Sequence, residues 1–146
     1  DFQRGKTQKE YNEKYYEEIL KVISNYKDYS VLGHLDLIKR YDEEGNYPFE
    51  NVKDIIEEIL KVVIRDGRGI EVNTSSFRYN LDSLTPSKDI LKLYKELGGR
   101  IITIGSDSHE EAHVGYKISE VKEELKKLGF EEFCTFEKMI PTFHKL

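Results

Sequence analysis

The chain's 146 residues are 38% hydrophobic and 35% charged, the size and composition of one globular domain. A formal net charge of -5 and a pI near 5.5 argue against a nucleic-acid partner, and no apolar stretch approaches the length of a bilayer span or a signal h-region. The single cysteine, Cys134, excludes an intrachain disulfide and fits a reducing, cytoplasmic setting as a small buried side chain.

Thr7 to Tyr26 reads as an amphipathic helix, opened by a T-x-x-E capping box (Thr7, Glu10) with Tyr15, Ile19, Val22, Ile23 and Tyr26 at helical spacing. "YSVLGHLDL" follows as a short buried strand and "KRYDEEGNYPFE" as a polar loop. A second helix is predicted from Glu50 to Arg65, and "IEVN" is a strand after the "DGRG" stop. "TSSFRYNLDSLTP" is a loop leading to Pro86, placed at the first position of a third helix that ends at Gly98-Gly99. "RIITIGSDSH" is the next strand, a fourth helix runs from Ser119 to Leu128, and "FEEFCTFE" is the last strand. Strands alternating with helices imply parallel βαβ units, so about four strands are expected to run the same way. A closed barrel needs about 200 residues or more, which leaves half a barrel or a small open α/β sheet.

Residues i and i+2 of a strand share a face. In "VLGHLD" this places Leu32, His34 and Asp36 together; in "IEVN", Glu71 and Asn73; in "IITIGSDSH", Thr103, Gly105, Asp107 and His109. The polar pairs fall at the carboxyl ends of the strands, where parallel α/β folds assemble their sites. Imidazole and carboxylate converging there suit a divalent ion such as Zn, Mn or Fe, with Asp107 and His109 expected to meet His34 across a shared mouth. Plainer readings stand beside this one: a core histidine for His34, a turn cap for Asp36 and a salt bridge for Glu71. Beyond the Glu71/Asn73 rim, Ser75, Ser76 and Arg78 offer hydroxyls and a guanidinium, making Arg78 a candidate phosphate clamp. Lys39 and Arg40 read as an exposed basic pair, and His113 as a surface residue.

The segments "YSVLGHLDLIKRYD", "IEVNTSSFRYNL", "PSKDILKLYKELGGRIITIGSDSHEEAHVG" and "GFEEFCTFEK" resemble the C-terminal part of histidinol-phosphate phosphatases of the PHP (polymerase and histidinol phosphatase) superfamily. The resemblance implies a distorted (β/α)7 barrel carrying up to three divalent metals. It implies hydrolysis of L-histidinol phosphate to L-histidinol and phosphate in histidine biosynthesis. Carried over, His34 matches a metal histidine, and Asp107 and His109 match the last metal motif, making them the catalytic candidates. Arg78, Asn73 and Ser75 match the substrate-phosphate region, with Glu71 and Asp36 in support. The family's opening H-x-H is absent: the four histidines are His34, His109, His113 and His144.

The expectation is therefore a single domain, residues 1–146, forming the C-terminal half of such a barrel without its N-terminal metal-binding half. Little turnover is expected from it alone, and homo-oligomers are expected through its open sheet edges. The alternatives are a catalytically silent α/β binding or oligomerising module, or a related metallohydrolase acting on another small phosphate ester.

Overall fold

Thr7 begins the ordered architecture by capping a helix. A computed structural model describes residues 2–79, 81 and 84–146. Helix α1 spans Gln8–Asn25 with both halves of the capping box formed: the Thr7 side chain accepts from Glu10 N–H, and the Glu10 carboxylate accepts from Thr7 N–H at 2.7 Å. Replacing Thr7 with Ala removes one acceptor for an otherwise unsatisfied helix N–H and is expected to lower stability by about 1 kcal/mol. Urea unfolding followed by circular dichroism measures this, and an unchanged midpoint would show the cap to be energetically idle.

Strand β1 (Val31–Leu32) leads through a 3-10 turn at Leu37–Arg40 and another at Phe49–Asn51 into helix α2 (Lys53–Arg65). Strand β2 (Gly69–Asn73) is followed by a 3-10 turn at Thr74–Phe77, helix α3 (Lys88–Glu96) and strand β3 (Ile102–Gly105). The three strands form one parallel sheet in the order β1-β2-β3, with Leu32 beside Ile70 and Val72 beside Ile104. Ile70, Val72 and Ile102 are buried, as are Ile59 and Val63 of α2 and Leu91 and Tyr94 of α3, so the core lies between sheet and helices. Apolar side chains at helical spacing on α2 and α3 and β-branched residues on β2 produce this burial. Gly98, at φ +88, supplies the left-handed residue that closes α3.

The expected fourth parallel strand is absent from this sheet. Helix α4 (Ile118–Lys127) is followed by β4 (Glu132–Glu137), which pairs antiparallel with a further strand, β5 (Ile140–Lys145), as a separate hairpin. Its two-residue turn, Lys138-Met139, has φ +49 and +65, as a type I′ turn requires. Neither residue is the Asn or Gly that normally announces such a turn, so β5 went unread. Cys134, on β4, is buried as expected, and burial pushes its thiol pKa up. Two other boundaries shift. The segment expected as a strand beyond Leu32 turns at once, and α3 begins at Lys88 with Ser87 as its cap, two residues after Pro86. Asn80, Asp82 and Ser83 of the loop expected at 74–86 lie outside the described residues.

Candidate functional site

The three parallel strands end on one rim, and each is followed by polar residues in tight turns. After β1 come Gly33 and His34, the latter at φ +53; after β3 come Ser106 and Asp107, the latter at φ +49. A left-handed backbone at a non-glycine residue is unfavourable by about 1–2 kcal/mol, so surrounding contacts must hold each one. Those contacts are visible. The Tyr15 hydroxyl of α1 donates to the His34 carbonyl at 2.6 Å, and Leu37 N–H donates to the same oxygen. Burial, with the nearby Asp36 charge adding to it, pushes the Tyr15 pKa up to about 12, so this donor keeps its proton at neutral pH. On the other side Arg78 donates to the carbonyls of Ser106 and Asp107, both at 2.7 Å.

Between these turns stands the end of β2. Glu71 is half-buried, with its carboxylate flanked by the strand-end glycines Gly33 and Gly105. Asn73 is buried and bonded at both ends of its amide: Nδ2 donates to Glu71 Oε2 at 3.3 Å, and Oδ1 accepts from Ser75 N–H at 2.8 Å. The Ser75 hydroxyl accepts from Arg40 Nη2 at 2.7 Å. The Arg40 guanidinium lies 3.7 Å from the Tyr79 ring centroid, and its Nε is buried with no hydrogen-bond partner. The Ser76 hydroxyl is likewise buried and unpartnered. Thr74 ties this turn to the loop before α4 by donating to the Tyr116 carbonyl at 2.6 Å.

Each residue singled out from the sequence thus has a place. Asp107 and His109 come together, with Oδ1 and Nε2 3.6 Å apart, and the His109 side chain is 81% exposed. His34 shares their rim, but β2 lies between it and Asp107, a separation of about 10 Å at ordinary strand spacing. The Nδ1 of His34 is buried without a partner. Donor chemistry of this kind suits a divalent ion, yet among the described residues no group of three or more His, Cys, Asp or Glu converges to hold one. The shared mouth is therefore a rim on which the His34 donor and the Asp107–His109 pair are separate.

Asp36 does not face the mouth. The strand ends before it, so the expected i, i+2 alternation with His34 fails, and Asp36 turns into the core. There its Oδ2 accepts from Lys39 Nζ at 2.9 Å and from Ser87 N–H at 2.8 Å. Burial raises its pKa, against the lowering effects of Lys39 and Ser87. Arg78, expected as a phosphate clamp, directs both terminal nitrogens at backbone carbonyls. Arg40, expected as half of an exposed basic pair, is the guanidinium joined to the Ser75 turn. The sequence signal for it was its place in the turn directly after β1; its packing on Tyr79 depends on the fold. His113 is half-buried with its ring 5.9 Å from that of Tyr116, and His144, on β5, lies 2.8 Å from the Thr135 hydroxyl.

Comparison with known proteins places this rim in a family. A model of the PHP domain matches residues 1–75, just over half of the chain. A Thermotoga maritima protein named "Probable histidinol-phosphatase" is 37% identical over 128 residues, covering 88% of this chain and 53% of the relative. A Lactococcus lactis histidinol-phosphatase is 32% identical over 143 residues, covering 95% of this chain and 52% of its own length. The crystal structure of a histidinol phosphate phosphatase from Lactococcus lactis, complexed with zinc, L-histidinol and phosphate, superposes with a TM-score of 0.80 at 30% identity. That superposition covers 97% of this chain and 54% of the other. The chain spans about half the length of the curated relatives it matches. With its mixed α/β architecture, strand-end turns and these matches, the chain belongs to the PHP domain family.

Proposed function

We propose that the chain forms the phosphate-binding side of a metal-dependent phosphomonoesterase that converts L-histidinol phosphate and water to L-histidinol and phosphate. The observation that carries this reading is Arg40. Its guanidinium is anchored on Ser75, stacked on Tyr79, and keeps a buried Nε with no partner beside the equally unpartnered Ser76 hydroxyl. A planar guanidinium with unspent donors next to serine hydroxyls suits a phosphoryl group. The relatives named as histidinol-phosphatases, and the neighbour holding zinc, L-histidinol and phosphate, give that group its chemical identity.

In this reading the parallel sheet is the C-terminal part of a distorted (β/α)7 barrel, and residues 1–146 act as one domain. His34, Asp107 and His109 are the metal donors, Asp107 and His109 stand nearest the reacting atoms, and Asn73 and Ser75 orient the phosphate side. A divalent ion bound there supplies hydroxide near neutral pH and neutralises phosphoryl oxygens. The donors of this chain are too few to hold such a cluster firmly, so turnover by the 146 residues alone is expected to be low. A biosynthetic phosphatase of this kind works in the cytoplasm, and no described helix is long and apolar enough to cross a membrane.

Titration of the chain with inorganic phosphate, read by calorimetry, tests the reading. Saturable binding is expected, weakened about tenfold in an Arg40→Ala variant, as the loss of one charge-assisted anion contact implies. Absence of binding, or equal affinity in the variant, refutes it.

A second reading has its own observation. Among the described residues β1 pairs on one side only, and next to it Phe2 and Val22 are exposed beside the half-buried Tyr15, Ile19 and Leu32. An open strand edge with apolar surface favours association, as in an oligomerising module. Sedimentation velocity resolves this, a concentration-independent monomer being the adverse result.

A further inference from the structure

We propose that Glu71 is the residue that recognises a cationic amine on the substrate, restricting this site to phosphate monoesters that carry an ammonium group a short distance from the phosphate. The inference rests on the phosphate reading of Arg40 and Ser75 and adds the other end of the ligand.

Glu71 is a half-buried carboxylate whose hydrogen-bond donor is the Asn73 amide, at 3.3 Å. Among the described residues no Lys, Arg or His pairs with it. Withdrawing a carboxylate from water without a cation is unfavourable, and a site that does so is prepared to receive one. The cation is unlike a metal ion in what it demands. A divalent ion needs several anionic or imidazole donors, and none converge here, whereas an ammonium is satisfied by one carboxylate and neighbouring neutral acceptors.

Space is kept for it on both sides. A methyl group at Gly33 would lie 3.3 Å from Glu71 Oε2, and one at Gly105 would overlap Oε1, so any side chain at either strand end would crowd the carboxylate. Asn73 then sets the spacing between the two halves of the ligand. Its Nδ2 points the Glu71 carboxylate, and its Oδ1 accepts from Ser75 N–H in the turn where Arg40 waits for the anion. A single amide thus links the cation-binding and anion-binding ends. The ligand that matches both is an aminoalkyl phosphate with few bonds between its charges.

Calorimetric titration of the full chain with O-phosphoethanolamine, ethyl phosphate and inorganic phosphate tests this. The wild-type chain should bind O-phosphoethanolamine at least tenfold more tightly than ethyl phosphate. Glu71→Gln should erase that preference while leaving affinity for ethyl phosphate and inorganic phosphate unchanged. Gly105→Ala, which displaces the carboxylate but keeps its charge, should reduce the preference in the same direction. No preference in the wild-type chain, or a preference that survives in Glu71→Gln, overturns the role of Glu71 and leaves the phosphate site standing. Failure of all three ligands to bind overturns the phosphate reading and this inference with it.

Discussion

Asp36→Ala is expected to lower the stability of the chain by about 3–5 kcal/mol, measured as the unfolding free energy in urea. The carboxylate is 3% exposed and holds two structures at once: the Lys39 ammonium at 2.9 Å and the first N–H of α3, that of Ser87, at 2.8 Å. Truncation leaves the Lys39 charge, itself 15% exposed, without its carboxylate and removes the acceptor at the start of a helix. Domains of this size have total stabilities of about 5–15 kcal/mol, so the loss is a large share of what holds the fold. Asp36→Asn keeps an acceptor for Ser87 and should lose less, about 1–3 kcal/mol.

The pH dependence separates the two contributions. Burial raises the Asp36 pKa, so the native state binds the proton more readily than the unfolded chain. The Asp36 contribution is then fully present below the ordinary carboxylate pKa and declines as pH rises through the raised value. The stability advantage of wild type over Asp36→Asn should accordingly narrow with rising pH across that window. An advantage that widens instead would mean that Lys39 and Ser87 outweigh burial.

Arg78→Ala is the second large effect: a loss of about 2 kcal/mol, with faster amide hydrogen exchange at residues 106–109. Two charge-assisted hydrogen bonds, to the carbonyls of Ser106 and Asp107, end at the turn where Asp107 sits at φ +49. Without them little printed contact holds that left-handed residue, and the Asp107–His109 pair should lose its fixed geometry. Arg78→Lys should recover less than half the loss, because one ammonium cannot reproduce a planar fork aimed at two carbonyls. Unchanged stability and exchange, together with weaker phosphate binding, would restore Arg78 to the clamp role suggested by its place in the sequence.

The contrast between Arg40 and Arg78 shows where reading a chain stops. Both follow strand ends and both have the chemistry to bind an anion, so residue type and spacing cannot rank them. The ranking comes from what surrounds each guanidinium. Arg78 finds two carbonyls across the β3 turn, while Arg40 finds a hydroxyl and an aromatic face and keeps one nitrogen unspent. The β4–β5 hairpin carries the same lesson at the level of fold. Its turn depends on two left-handed residues, Lys138 and Met139, whose identities do not favour that conformation, so pairing across the hairpin must enforce it.

The sequence by itself determined the elements whose cause is local: the Thr7–Glu10 cap, the apolar faces of α2 and α3, the glycine that ends α3, and the β2 run with its polar Glu71 and Asn73. Periodicity and capping act within a few residues, and such information is written in the order of the residues. Only the tertiary structure decided that Asp36 turns inward, that Arg78 braces a loop, that Arg40 faces the serine turn, and that Gly33 and Gly105 flank Glu71. Those outcomes depend on contacts between segments about 30 to 70 residues apart in the chain, where strand register and backbone turns, rather than neighbouring residues, fix which side chains meet.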